Sequence, residues 1–340
     1  MTVFSNFGRY GIVGSGGVPA PDPYSIDWFV LAGGGGGGFG SEGQNAGGGG
    51  GGGLRSSYDK GPGGQSPSPT STEAQLTLTG GKTYAITVGA GGAKGATRGY
   101  SGGDGGSSAI SGDGITTITS TGGGGGAMGA SVPTDAPNPV PVAQATFGRT
   151  GGSSGGNASS DRDAGQGSSS TSVVSPLQGY VGGTGSGNGA GLGGGGGGAG
   201  GAGTRNAGPH NYGESGPQPS VSRGAGWTGS WTHSGLGGPA PEATYGGGGK
   251  TNGPSTDRDA GGGQGGNGGH RQPASGGGPS SSSDPDSGSV GNSSGGSGMV
   301  VIRVATASYS GIQSGHSSVT APGPGSLTFI RYYTPGTYKA

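Results

Sequence analysis

The fold is decided by the stretch W-F-V-L-A-G-G-G-G-G-G at Trp28–Gly38, where an apolar run passes directly into pure glycine. The residues Ile26–Leu31 have the length and composition of a buried β-strand, and we expect Trp28 to lie in a core. The glycines that follow have no side chains to bury and lose the most conformational freedom on folding. The chain therefore joins a strand that needs a core to a segment that needs another source of stability.

Glycine runs recur along the chain, at Gly33–Gly38, Gly47–Gly53, Gly122–Gly126, Gly193–Gly198 and Gly246–Gly249. Near them the other residues are often three apart, as in Ser101, Asp104 and Ser107. Three residues make one turn of a polyproline II helix, whose N–H and C=O groups must find partners outside the helix. We predict a bundle of polyglycine II helices joined by lateral backbone hydrogen bonds, with Gly33, Gly193 and Gly246 as structural positions.

The composition excludes several classes of protein. Of the 340 residues, 99 are Gly and 23 are Pro, far above the combined share of roughly 12% in ordinary proteins. Hydrophobic residues make up 26%, too few for the large core of a conventional enzyme of this length. The 16 basic and 16 acidic residues balance, which argues against electrostatic nucleic-acid binding, and there is no Cys for a disulfide or thiolate metal site. We expect no enzymatic activity, no cofactor and no metal.

Strand-like segments lie mainly near the two ends of the chain. Gln75–Thr79 and Thr83–Val88 both alternate between apolar and polar residues around a Gly-Gly-Lys turn, which predicts a hairpin. A second hairpin is predicted over Ser107–Thr121, with Asp-Gly in its turn. Met299–Val304 and Leu327–Tyr333 are the predicted strands near the C-terminus.

These features divide the chain into four parts. We expect a docking arm at 1–23, a β-scaffold with the first glycine runs at 24–120, a polyglycine II bundle with polar and aromatic loops at 121–298, and closing strands at 299–340. The predicted fold class is mainly β and irregular, a small antiparallel β-scaffold that brackets the bundle, with essentially no α-helix. Gly183–Gly193 alternates with period two, so a strand and a polyglycine helix both stay open there.

Three stretches resemble the glycine-rich domains of bacteriophage tail and tail-fibre proteins: Trp28–Gly38, Y-A-I-T-V-G-A-G-G at Tyr84–Gly92, and G-G-S-G-M-V-V-I-R-V at Gly295–Val304. The C-terminal Y-Y-T-P-G-T-Y at Tyr332–Tyr338 departs from the pattern, because it looks like the strand that commonly precedes such a domain. The resemblance implies a virion structural protein, similar in architecture to T-even-type polyglycine II adhesins, which present variable loops at a fibre tip.

On this basis we expect a component of the phage tail or tail fibre that binds a receptor on the host cell surface. The expected location is the virion tail, after assembly in the host cytoplasm. The expected partners are other tail proteins and a host surface glycan or outer-membrane protein, and a fibre would favour a trimer. Two alternatives stay open: a purely architectural part of the tail tip, nozzle or capsid decoration, and an extracellular glycine-rich matrix or antifreeze-type protein.

The candidate receptor contacts are Tyr212, Trp227, Trp231 and His233, an aromatic-dense island in a polar landscape. Exposed Trp and Tyr are common binding hot spots, although packing onto the glycine bundle would also explain them. The sequence D-R-D-A-G occurs at Asp161–Gly165 and again at Asp257–Gly261. Its paired carboxylates are interpreted as local ion pairs with the intervening Arg, with a calcium site as the open alternative.

Overall fold

The computed structural model describes residues 23–39, 46–57, 73–96, 100–128, 147–158, 176–185, 193–198, 202–203, 227–228, 244–245, 294–316, 318–323 and 327–340. Within these ranges the chain forms thirteen β-strands and one 3₁₀ turn at Thr306–Ser308, and no α-helix. All the strand pairs are antiparallel. The predicted fold class, mainly antiparallel β with essentially no helix, is confirmed.

The larger sheet is built around the apolar strand that opens the first glycine run. Strand β1 pairs with β9 along one edge and, along the other edge, with β2 and β3 in succession. Strand β12 pairs with the far edge of β9, and β11 pairs with β12. The strands of this sheet are β1 (Tyr24–Leu31), β2 (Leu54–Ser56), β3 (Leu76–Leu78), β9 (Met299–Ala305), β11 (Ser318–Gly323) and β12 (Leu327–Tyr332).

The second sheet has the order β10-β13-β4-β5-β6. Its strands are β4 (Thr83–Thr87), β5 (Ser108–Ser111), β6 (Ile118–Ser120), β10 (Gln313–Ser314) and β13 (Gly336–Lys339). The β5–β6 pair, with Ile110 opposite Ile118, confirms the second predicted hairpin. Its turn contains Gly114 at φ +78°, a conformation that glycine adopts without strain. A separate two-stranded pair joins β7 (Trp227–Thr228) to β8 (Thr244–Tyr245).

The two sheets face each other across a core of alternate residues from both, as strand pleating requires. Its members include Trp28, Ile302, Tyr84, Tyr332 and Tyr338, all fully or almost fully buried. Burial raises the pKa of Tyr332 and Tyr338 well above the usual range of a phenol, so both stay protonated at neutral pH. Their hydroxyls find partners, because Tyr338 shares a 2.8 Å hydrogen bond with the Tyr24 hydroxyl and Tyr332 donates to the Thr337 carbonyl.

The first predicted hairpin is wrong in its pairing, although both strands form where expected. Strand β3 pairs with β1 in the larger sheet, whereas β4 pairs with β5 and β13 in the other. The turn between them, closed by a hydrogen bond from the Lys82 amide to the Thr79 carbonyl, therefore crosses from sheet to sheet. Leu78 and Tyr84 then reach the same core from opposite sides, which an alternating pattern permits as well as a hairpin does.

The larger sheet is apolar on both faces. Its second face carries six residues with no exposed surface: Phe29, Leu31, Leu54, Met299, Val301 and Phe329. Toward one end of this face Asp27 on β1 forms an ion pair with Arg303 on β9, in direct cross-strand register. The outer face of the other sheet is exposed, with Thr83, Ala85 and Thr87 alternating against buried neighbours.

Candidate binding surface

Within the described residues, nine glycine-rich segments pack side by side next to the sheets, and each is given a roman numeral. Segments I, III and V leave the sheets at the ends of β1, β4 and β6, whereas II, IV and IX return to them at β2, β5 and β9. The remaining three lie between 147 and 198. The segments are I (32–39), II (46–53), III (88–96), IV (100–107), V (121–128), VI (147–158), VII (176–185), VIII (193–198) and IX (294–298).

Lateral hydrogen bonds between segments recur every third residue. The amides of Ala32, Gly35 and Gly38 in segment I donate to the carbonyls of Gly53, Gly50 and Gly47 in segment II. The next amides along, those of Gly33, Gly36 and Phe39, donate in the same way to segment IV. A β-ladder would repeat every two residues, whereas a bundle of polyglycine II helices requires a period of three. The polyglycine II conformation of the segments stays a prediction.

The amount of glycine in a segment follows its position in the bundle. Segment I exchanges hydrogen bonds with segments II, III, IV, V and IX, so neighbours surround it and every residue from 33 to 38 is Gly. In segment IV, the amides of Gly102 and Gly105 donate hydrogen bonds to segment V. The amides of Gly103 and Gly106 donate to segment III. The third residue of each of its triplets faces outward, and those positions hold Ser101, Asp104 and Ser107. In segments I and IV, pure glycine therefore marks the interior and Gly-Gly-X marks the periphery.

At many positions the neighbouring backbones are too close to accept even a methyl group. A Cβ atom built on Gly35 would lie 2.2 Å from the Gly124 carbonyl oxygen, and one on Gly126 would lie 2.0 Å from that of Gly47. Real Cβ contacts are never that short, and the obstructing atoms are backbone. Of the predicted structural glycines, Gly33 and Gly193 both have such contacts, at 2.1 Å from the Ala90 and Ala46 oxygens. Gly246 lies outside the described residues.

Where strands pass into glycine segments, buried polar side chains hydrogen-bond to backbone amides and so connect the β-sheets to the bundle. The Ser108 hydroxyl accepts a hydrogen bond from the amide of Gly89, the second residue of segment III. The side-chain oxygen of Gln178 accepts a hydrogen bond from the Thr121 amide at 2.7 Å. The backbone carbonyl of Gln178 accepts one from the amide of Leu54. These residues are buried, so an unpaired amide at either junction would cost stability. The bundle is thereby fixed rigidly to the sheets.

At the opposite end of the bundle, called here the distal end, two large aromatic side chains reach solvent. Tyr100 is 42% exposed and Phe147 is 37% exposed. Tyr100 begins segment IV, where its carbonyl accepts the Phe39 amide at 2.8 Å. Phe147 begins segment VI, and the adjacent Gly148 amide is held by the buried Asn157 side chain at 2.8 Å. Both side chains therefore stand on fixed backbone.

A charged pair lies on the same two segments, with Asp104 four residues after Tyr100 and Arg149 two residues after Phe147. One carboxylate oxygen of Asp104 accepts the Gly125 amide at 2.9 Å, and the other lies 3.0 Å from the Arg149 guanidinium. The pair thus bridges segments IV and VI across segment V. Both side chains are about half exposed, so this ion pair contributes little to stability and keeps hydrogen-bonding capacity toward solvent. The sequence shows Asp104 within a repeat of three, but nothing in it indicates Arg149 as its partner.

Most of the receptor-contact candidates lie outside the described residues, namely Tyr212, Trp231 and His233. The backbone of Trp227 is described, and it pairs with Tyr245 in the β7–β8 ladder. Both D-R-D-A-G copies also lie outside, as does most of the alternating stretch at Gly183–Gly193. Tyr100 and Phe147 were missed because each is a single aromatic residue among small ones, and only the hydrogen-bond register brings them together.

The part of the chain covered by the structure contains no group of three or more His, Cys, Asp or Glu residues placed to hold a metal ion. Over the same residues, no helix has the length and hydropathy needed to cross a membrane.

A family model described as a glycine-rich domain matches residues 12–305. The chain belongs to this glycine-rich domain family. No curated protein and no solved structure matches the chain. The family match ends with β9, yet β12 and β13 beyond it complete the two sheets and bury Ile330 and Tyr338 in their shared core. In this member of the glycine-rich domain family the last strands are thus part of the scaffold.

Proposed function

We propose that this glycine-rich domain protein is a structural component of a bacteriophage tail or tail fibre, and that its distal end contacts the host cell surface. The observation that carries the proposal is the arrangement of the segments. Three of them leave the sheets at one end of the scaffold, and the aromatic residues Tyr100 and Phe147 are exposed at the other end of the bundle. The sequence resemblance to phage tail domains supports the same conclusion.

The bundle has a source of stability that suits such a role. Its stability comes from many backbone hydrogen bonds, each contributing about 0.5–1.5 kcal/mol net, and not from interlocking side chains. Connections at the distal end can therefore differ in sequence without repacking a core, as is usual for binding loops on a rigid scaffold. The proposed partners are other tail proteins and a receptor on the bacterial surface, and the proposed location is the virion.

An architectural part that never touches a receptor is the second candidate. It is favoured by the close integration of the bundle with the sheets through Gln178 and Ser108. The two candidates differ in what surrounds Tyr100 and Phe147 within the virion. An attachment protein leaves them accessible, whereas an internal part covers them with a neighbouring protein.

The test is an adsorption-blocking assay with the virus that encodes this chain. Host cells are incubated with purified full-length protein and then challenged with phage, and the phage left free in the medium is counted. We expect the native protein to reduce adsorption and a heat-unfolded sample of equal concentration to have no effect. Normal adsorption after treatment with folded protein would contradict receptor contact.

Antibody labelling of intact virions separates the remaining candidates. Antibodies raised against the whole protein are visualised by electron microscopy. We expect label at the far end of the tail or its fibres. Label along the tail or on the capsid, combined with unblocked adsorption, would support the architectural role. The absence of any virion label would contradict both virion roles.

A further inference from the structure

We infer that Tyr100, Phe147, Asp104 and Arg149 form a saccharide-binding platform on the distal part of the bundle. The inference rests on the proposed function and names the chemical class of the receptor, a sugar chain of the bacterial surface. It places the contact on the glycine segments themselves, on residues whose positions are fixed by backbone hydrogen bonds.

The first argument is the exposure of the two rings. Over the described residues, the exposed large hydrophobic side chains are Tyr100, Phe147, Ile312 and Tyr333. The first two belong to the bundle, and the other two belong to the C-terminal part of the sheets. Elsewhere on the described part of the bundle, the larger apolar side chains are only partly exposed, among them Phe39, Tyr180 and Val181. Tyr100 and Phe147 thus differ from them in exposure, and aromatic side chains are enriched at binding hot spots.

The second argument is the register that brings the rings together. Segment IV pairs with segment V through the amide of Gly102 and the carbonyl of Gly126, and segment VI pairs with segment V through Arg149 and Gly125. The next bonds, from Gly105 to Gly123 and from Gly152 to Gly122, show that segment IV and the first part of segment VI (147–152) run antiparallel to segment V. Tyr100 and Phe147 therefore reach the same level beside Ala127 and Met128. The ion pair between Asp104 and Arg149 spans the gap between the two segments.

The third argument is the chemistry of the polar pair on the same two segments. Sugar hydroxyls donate and accept hydrogen bonds, so a sugar needs an acceptor and a donor placed together. The Asp104 carboxylate supplies the acceptor, and the Arg149 guanidinium supplies several donors. Their charges cancel, which favours an uncharged polyhydroxyl ligand over an ion of either sign.

The rings complete this arrangement, because the flat faces of aromatic side chains offer apolar surface to the C–H faces of a sugar. A protein partner would need a much larger contact, since stable protein interfaces bury about 800 Å² on each side. Two rings and one ion pair fit a short saccharide better. Pre-positioned groups also lose little entropy on binding, which suits a weak ligand repeated many times along a polysaccharide.

The test measures binding of fluorescently labelled full-length protein to host cells in three states: untreated, treated with periodate to oxidise sugars, and treated with protease to remove surface proteins. We expect binding to be lost after periodate and retained after protease. The double variant Tyr100→Ala/Phe147→Ala should bind untreated cells about tenfold more weakly or worse.

Tyr333→Ala is the matched control, because Tyr333 is as exposed as Phe147 but lies in the C-terminal part of the sheets, after β12. It should bind like the native protein. Equal thermal midpoints for all variants exclude loss of folding as the cause. Normal binding by the double variant, or loss of binding after protease alone, would overturn the platform and leave the proposed attachment function intact.

The same proteins are applied to a printed array of bacterial polysaccharides, so that the two proposals can fail separately. Retention of the native protein but not of the double variant supports the platform even if cells are not bound, in which case the attachment function fails alone. No retention on the array, together with no binding to cells, overturns both.

Discussion

At the scale of single residues, the requirement for glycine depends on which way a position faces. Gly102 and Gly103 are neighbours in segment IV, yet a Cβ atom on Gly102 would lie 1.9 Å from the Gly36 carbonyl oxygen, whereas one on Gly103 would lie 3.2 Å from the nearest atom, the Ala93 nitrogen. The first contact is a collision between backbones. The second needs a shift of only a few tenths of an ångström.

We therefore predict opposite results for two alanine substitutions. Gly102→Ala should lower the free energy of unfolding by several kcal/mol, because segments I and IV must separate to admit the methyl group. Gly103→Ala should change it by less than about 1 kcal/mol, since the tight contact is offset by the lower entropy of the unfolded chain. Urea denaturation of both variants measures the difference. Equal destabilisation would contradict the register between segments I and IV.

At the scale of elements, segment V shows how a stretch without side chains is stabilised. The seven successive carbonyls from Thr121 to Ala127 all accept a backbone amide, from segments II, IV and VI in turn. The amides of Gly123 and Gly126 donate to segment I, and those of Gly124 and Ala127 donate to segment VI. Nearly every polar group is thus paired, as buried backbone requires.

The amides of Gly123 to Ala127 should accordingly exchange with solvent as slowly as those of strand β1. Protection against exchange depends on the opening of the local structure and not on side chains. Hydrogen exchange followed by NMR measures it, with the exposed turn glycine Gly311 as the rapidly exchanging reference. Fast exchange throughout segment V would mean that the bundle is not closed.

The sequence predicted the elements better than their partners. Strands β1 and β9 and the β5–β6 hairpin follow directly from apolar runs and turn residues. The β3–β4 hairpin failed because Leu76, Leu78, Tyr84 and Ile86 alternate in the same way whether their strands share a sheet or face each other. The short strands β2, β10 and β13 have too few apolar residues to be recognised. The period of three was visible, but the neighbours of each segment depend on pairings far apart in the chain.

At the scale of the whole molecule, the sheets and the bundle should unfold together. The glycine segments have no apolar core of their own, and their register is set where they join the strands. Ile302→Ala removes a fully buried side chain between the sheets and should cost about 2–5 kcal/mol. The amides of Gly123 to Ala127 should lose protection by the same free energy, although they are not in contact with residue 302.

Hydrogen exchange of the Ile302→Ala variant tests this coupling, and Ile312→Ala is the control because Ile312 is 54% exposed. The control should leave protection in segment V unchanged. Loss of protection confined to the sheets of the Ile302→Ala variant would show that the bundle is an independent folding unit.

The position of the last two strands sets the order of events during synthesis. Strand β12 lies between β9 and β11, and β13 lies between β4 and β10, so each sheet can be completed only after its late strand has left the ribosome. The described glycine segments are made before then, while the scaffold that sets their register is still incomplete. The bundle must therefore reach its final register after these strands emerge, and until then the low apolar content of the chain leaves little surface for aggregation.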